Sequence, residues 1–282
     1  MVIDHHLGSW DDFVRIVESG LSYGEALPPS CIFRGQSDSR WPLETTLDRA
    51  GQRDMSFADY YRMILRARPQ IETLTKTHFD NVFTYNTVQE MLGNYDEFSL
   101  AMSSGNMPGY SYMLFLRHHG FPSPILDWTR SPYVAAYFAF ATQPPGAMEC
   151  VIHALEFASM QMRGTGTVEF YKLGPYVRTD ERHFRQQCEY TVCMTGGNGW
   201  RFRSHADAVV DDVTLSPEIA SRFQHRLWKF YLPLSERERA LNFLDRFNLN
   251  AYSLFGSTDS LVSTLAEREL RAMAASQPRE NG

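Results

Sequence analysis

Apolar residues recur at helical spacing through much of the first half of the chain and at strand spacing in the second. Four capping patterns open helical runs: Ser9 with Asp12 before FVRIV, Ser56 with Asp59 before YYRMILRAR, Thr87 with Glu90 in TVQE, and Ser235 with Glu238 before ALNFLDRF. A Ser or Thr hydroxyl that accepts a first-turn N–H, answered by an acid three residues on, satisfies donors that a helix start leaves bare. Pro69 is expected to stop the second helix, because proline has no N–H to give and crowds the preceding turn. Residues 55–119 therefore read as largely helical. Short runs rich in β-branched and aromatic residues read as strands at 31–33, 150–157, 189–194, 207–215 and 226–234. Helices gather before strands, which predicts an α+β fold rather than a doubly wound parallel sheet. No repeat or Pro/Gly/Ser-rich linker divides the chain, so 1–282 reads as one domain with a helical insertion around 55–119.

The composition narrows the function classes. With 43% hydrophobic residues and a formal net charge of -6, the chain can bury a sizeable core and lacks an overall basic footprint for nucleic acid. A local basic groove stays open, and the aromatic, locally basic run RFQHRLWKFYLPLSERERALNFLDRF reads first as a strand and helix with solvated charges. Cys31, Cys150, Cys188 and Cys193 form no CxxC pair and read as reduced thiols of a cytoplasmic protein. No basic-then-apolar leader opens the chain and no apolar run is long enough for a span, so no membrane partner is expected. Adjacent histidines (His5-His6, His118-His119) do not chelate one ion readily, and no metal is expected. A P-loop and a G-x-S-x-G elbow are both absent.

Two stretches carry polar groups where ordinary core would be apolar. In FRGQSDSRWPLETTLDR (33–49), Arg34 follows a short apolar run. In LRHHGFPSPILDWTRSPYVAAYFAFAT (116–142), a helix is expected to end at Gly120, and Ser131-Pro132 is a strong start signal for the next. Capping thus explains Ser131 by itself. Asp127, Thr129 and Arg130 lie between an apolar run and an aromatic helix, where buried polarity must be paired.

With FRGQ, RHHGFPSPILDWTRSPYVAAYFA, RQQCEYT and SLFGSTDSLVSTL in this order, the chain resembles the FRG-domain family of prokaryotic proteins, named for Phe33-Arg34-Gly35. The order of motifs is in turn similar to that of ADP-ribosyltransferases, with an arginine on a first strand, a Ser/Thr strand running into an aromatic helix, and a later Gln/Glu-x-Glu strand. This resemblance implies an ADP-ribosyltransferase-like split β-sheet core and NAD+ as co-substrate. It places Arg34 and Gly35 at the dinucleotide, Thr129 and Ser131 at the nicotinamide-side ribose, and Tyr133 or Tyr137 against nicotinamide. Phe138 and Phe140 read as helix core. For Arg34 the structural alternative is an ion pair with a carboxylate such as Asp127.

In Gln187-Cys188-Glu189, residues i and i+2 of a strand share a face, so Gln187 and Glu189 are expected to point into one cleft. Cleaving the nicotinamide–ribose bond develops an oxocarbenium-like centre, which a carboxylate on the ribose 2′-OH stabilises. Glu189 is the expected catalytic acid, with Gln187, or Gln186 in an alternative alignment, orienting the acceptor. His118 and Asp127 are candidate substrate-facing groups. The resemblance implies a bacterial toxin or phage-defence effector with a neutralising antitoxin or regulator. The acceptor is a protein or nucleic acid, or water in an NAD+ glycohydrolase. A different class, a non-catalytic nucleotide- or partner-binding module, would use the same polar cluster.

Overall fold

The apolar run around Cys31-Ile32-Phe33 becomes strand β2 (Ile32–Gln36), and the runs at 150–157, 189–194 and 226–234 join it in one eight-stranded sheet. The computed structural model describes residues 2–20, 27–79, 84–105, 107–157, 168–196, 199–208 and 225–276. Its strands are β1 (Val2–His6), β2, β3 (Ile125–Thr129), β4 (Glu149–Glu156), β5 (Val168–Lys172), β6 (Cys188–Thr195), β7 (Arg201–Arg203) and β8 (Arg226–Pro233). They run in the order β1-β8-β4-β2-β3-β6-β5, with β7 beside β6. β1 lies parallel to β8, and the other pairings are antiparallel. The fold is α+β, as the segregation of patterns predicts.

The helices are α1 (Trp10–Ser19), α2 (Thr46–Arg49), α3 (Phe57–Thr75), α4 (Tyr85–Leu92), α5 (Tyr95–Ser103) and α6 (Tyr110–His118), then α7 (Pro132–Phe140), α8 (Arg182–Arg185) and α9 (His205–Ala208). The C-terminal part adds α10 (Arg237–Arg246), α11 (Ala251–Phe255) and α12 (Thr258–Ser276). Ser9 and Ser56 accept the N–H of Asp12 and Asp59, as expected of their caps.

Alternation along the strands sorts the core. Phe33, Ile152, Ala154 and Phe230 share one face and pack against α1, α7 and α10. Ile125, Tyr190, Val192 and Met194, on the same face farther along the sheet, pack under α3 to α6. The opposite face carries a smaller cluster around Ile32, Leu126, Trp128, Phe170 and Cys193. Two groups of helices therefore cover one side of the sheet, and they meet over β2 and β3.

Several local expectations are corrected. Pro69 lies inside α3 and does not stop it. One lost backbone bond is outweighed by the buried face of Tyr60, Tyr61 and Ile64 and by Arg68, which bonds Glu72 and the Phe79 carbonyl across the next turn. Thr84 rather than Thr87 caps α4, with Thr87 returning the bond as its reciprocal partner. Ser235 falls in a 3-10 turn (Leu234–Glu236), and α10 begins after it without a side-chain cap. Of the expected strand 207–215, the beginning is helical in α9 and 209–224 lies outside the described residues. β1, β5 and β7 were not foreseen, and β3 follows from the resemblance alone. All four cysteines are free and buried.

Candidate functional site

Phe33 on β2 faces Thr129 on β3, and among the described residues this is the one registered pair between those strands. Where they part, a cavity of about 400 Å3 opens between α6 and α7. That volume suits a small-molecule ligand. Arg34, Gly35 and Gln36 line it from β2, Asp127 and Thr129 from β3, Arg117 and His118 from α6, and Ala135 and Phe138 from α7. Trp41, Arg49, Arg182, Gln186, Cys188 and Phe255 also contribute.

Gly35 is what lets α7 sit here. A Cβ on it would lie 1.9 Å from the Ala135 carbonyl oxygen and 2.6 Å from the Ala139 nitrogen, so any side chain would collide with helix backbone. Ser131 caps that helix by accepting the Val134 N–H at 3.2 Å, with Pro132 in the first turn. Thr129 donates its hydroxyl to the Gln186 carbonyl at 2.7 Å and accepts the Ser131 N–H.

Arg34 donates from Nη1 to the backbone carbonyl of Asp127 at 2.8 Å, while its Nε bonds no protein atom. The expected alternative of an Arg34–carboxylate pair is thereby corrected, because Arg117 forks onto that carboxylate through Nε and Nη2, the latter at 2.6 Å. Burial pushes the Arg34 guanidinium down to about 10. Burial also pushes the Asp127 carboxyl up, but Arg117, Arg34 and His118 more than offset it and hold it below the usual carboxylate range. Arg34, Arg49, Arg117 and Arg182 stand against the single carboxylate of Asp127, so the lining is cationic in a chain of net charge -6. Arg34 Nε, Arg117 Nη1, Gln36 Oε1 and His118 Nδ1 are all buried with no hydrogen-bond partner.

Of the residues expected at the site, Arg34, Gly35, Thr129, His118 and Asp127 share this cavity; Ser131, Tyr133, Tyr137, Gln187 and Glu189 are not in its lining. Tyr133 packs near Trp10 and Phe243, and Tyr137 is buried in the core beneath α7. Gln187 does not share a strand face with Glu189: it precedes β6 with φ 50° and is exposed, whereas Glu189 is buried. Gln186 is the glutamine at the cavity, its amide donating to the Leu254 carbonyl at 3.2 Å. Phe138, read as plain core, also lines the cavity.

Glu189 pairs in register with Trp128, one step from the Thr129–Cys188 pair. Strand alternation therefore sets it on the face of β6 that Arg34 occupies on β2, with Trp128 between them. Its carboxylate lies 4.0 Å from Arg130 Nε and 3.7 Å from Lys172 Nζ, and Oε2 accepts no hydrogen bond. Burial raises its pKa, which Lys172 and Arg130 only partly counter. Burial, with Asp127 nearby, pushes the Cys188 thiol up to about 12, which disfavours its nucleophilic thiolate form.

Sequence reasoning missed Arg117, Gln36 and Trp41. Arg117 stood beside the quoted His118, yet its partner Asp127 is ten residues away and nothing in spacing pairs them. Among the described residues, no group of three or more His, Cys, Asp or Glu could hold a metal, and no helix is long and apolar enough to cross a membrane.

Residues 29–147 match the family model of the FRG domain, which supports the FRG-domain family for this chain. The matched span holds β2, α2, α6, β3 and α7, hence most of the cavity wall, whereas Gln186, Cys188 and Glu189 lie beyond it. No curated protein and no solved structure matches the chain.

Proposed function

We propose that the cavity between β2 and β3 binds NAD+ through its diphosphate, and that the protein is an NAD+-dependent ADP-ribosyltransferase acting on a macromolecule. One observation carries this reading: a lining with four guanidiniums and one carboxylate, in which Arg34, Arg117, Gln36 and His118 each keep a buried polar atom unpaired. Each such orphan costs about 1–3 kcal/mol unless a ligand or water satisfies it. Arg34 Nε and Arg117 Nη1 suit phosphate oxygens, and the Gln36 oxygen suits a ribose hydroxyl or a ring amine. Trp41 and Phe138 line the same cavity and would supply aromatic surface to a flat ring.

Strand order supports the same reading. The arginine strand β2, the strand β3 ending at Thr129 and the Glu189 strand β6 are consecutive neighbours, so the three segments of the resemblance lie side by side in the sheet. Bound NAD+ supplies a glycosidic bond whose cleavage builds positive charge on the ribose, and Glu189, on the face of β6 that Arg34 occupies on β2, is the carboxylate this reading assigns to stabilise it. A toxin or phage-defence role, with an antitoxin as partner, goes with this activity.

The position of Glu189 favours a second reading. It is outside the cavity lining and already faces Lys172 and Arg130, as in a nucleotide-binding module without turnover. Incubation with NAD+, alone and with lysate fractions, separates the two by nicotinamide release. Release by wild type and its loss in Glu189→Gln support the transferase. Binding without release from any fraction supports the module, and an absence of NAD+ binding overturns the transferase.

A further inference from the structure

A second cavity, of about 1360 Å3, lies between the end of α3, α4, α6 and residues 176–180. Among the described residues, His118 alone belongs to the linings of both cavities. Its lining carries Lys76 and Arg178 against Glu90, Glu97 and Asp180, unlike the cationic first cavity.

A chain of hydrogen bonds fixes which nitrogen of His118 carries its proton. The Pro175 carbonyl can only accept, so His183 Nε2, 3.0 Å away, is the protonated nitrogen of that ring. His183 is held neutral, burial having lowered its pKa. Its Nδ1 then accepts the Tyr190 hydroxyl at 3.1 Å. The Tyr190 oxygen is left to accept, and His118 Nε2 donates to it at 3.4 Å, the longest link. Neutral His118 therefore presents an unprotonated Nδ1, which is the buried nitrogen with no protein partner.

We infer that His118 is the general base of the transfer, its Nδ1 taking the proton of an O–H or N–H nucleophile that arrives through the second cavity. The inference rests on the transferase reading. As the nucleophile bonds to the ribose carbon, the bond to nicotinamide breaks and its electron pair leaves with neutral nicotinamide. The nucleophile's proton passes to Nδ1 and then to solvent, so one proton is released per turnover and no redox partner is needed. Nδ1 is shielded from water in the unliganded protein, so the transfer requires neighbouring side chains to move aside as the nucleophile binds and as the proton leaves.

The surroundings suit a base. Burial lowers the His118 pKa; Asp127 on β3 and Asp180 before α8 raise it, and Arg182 on α8 and Arg117 on α6 lower it. The ring is thus neutral at neutral pH, and the rate should fall as pH drops through a value below the ordinary 6.5.

Two measurements on the full chain test this. The first is 15N-imidazole NMR, with His118 assigned by difference from His118→Gln. A neutral ring protonated on Nε2 is expected at pH 7, and loss of that fixed tautomer in Tyr190→Phe. An Nδ1–H tautomer or a charged ring overturns the inference. The second is nicotinamide release from NAD+ against pH, with water and with lysate as acceptor. His118→Gln should lose about 100-fold in kcat together with the acid limb. An active wild type with an unchanged His118→Gln profile overturns the base while leaving the transferase reading intact. A wild type that releases no nicotinamide overturns both.

Discussion

Phe33 and Thr129 bridge β2 and β3 alone among the described residues, whereas β2 pairs with β4, and β3 with β6, through five registered positions each. The sheet is thus two well-bonded halves joined by one registered pair and, beside it, by the Arg34 bond to the Asp127 carbonyl. Each half carries its own helices, and the cationic cavity occupies the junction. Polar side chains can be buried there because the strand edges that part leave room between them.

Trp41 gives a direct reading of the cavity. It is 47% exposed at the cavity wall, while Trp10, Trp128, Trp200 and Trp228 are buried. Titration with NAD+ should quench or shift an exposed indole emission, and Trp41→Phe should remove that change. A calorimetrically detected complex with silent fluorescence would take Trp41 out of the binding site.

Arg34→Lys should weaken NAD+ binding by about 10-fold or more, because an ammonium cannot fork onto phosphate while still reaching the Asp127 carbonyl. Calorimetry at two salt concentrations checks this. Binding equal to wild type would place the diphosphate elsewhere.

Asp127→Asn removes the acid that Arg117 grips. The carboxylate is 38% exposed, so screening trims the cost of a buried pair to about 1–2 kcal/mol at pH 7. The folded pKa of Asp127 lies below its unfolded value of 3.8. Its contribution is therefore present above pH 3.8 and lost as pH falls through the lower folded value. Urea midpoints at pH 7 and pH 3 should show wild type and variant converging in acid.

Glu189→Gln should uncouple stability from turnover. The folded pKa is raised above 4.5, so the stability linked to this group is present below that pH and lost as pH rises through the folded value. At pH 7 the neutral isostere avoids the cost of burying an ionised carboxylate, and its melting temperature should equal or exceed that of wild type. Nicotinamide release should nonetheless fall by at least about 100-fold. A lower melting temperature would show that the contacts with Lys172 and Arg130 are worth more than the burial cost.

Gly35→Ala should destabilise by about 1–3 kcal/mol, the usual cost of forcing added volume into a packed contact. Its methyl meets helix backbone, which cannot swing aside. Thermal unfolding checks this, and a neutral result would mean that α7 stands farther from β2.

Much of the fold was legible where local chemistry decides. The caps at Ser9, Ser56 and Ser131 and the strands around Phe33, Ile152, Tyr190 and Trp228 follow from hydroxyl placement and β-branched or aromatic runs. Pro69 misled because tertiary burial overrides one missing N–H. Asp127 and Thr129 stand out in the sequence as polar residues between an apolar run and an aromatic helix, Arg34 as a charge after a short apolar run, and His118 only through its place in the motif-dense turn. Gln187 was misplaced because its positive φ, which no residue pattern reveals, breaks the strand's alternation before Glu189. Arg117 and Trp41 needed long-range geometry that spacing does not carry.

The burial of Cys31, Cys150, Cys188 and Cys193 has a practical side. Burial pushes the first three thiols up to about 12 and holds Cys193 well above its ordinary value, so thiolate is scarce at neutral pH. The folded chain should be nearly blank to maleimide dyes. A single cysteine introduced at an exposed position beside the cavity could then be labelled without first stripping out the native four, giving spin-label or fluorophore distances across the junction of the two half-sheets.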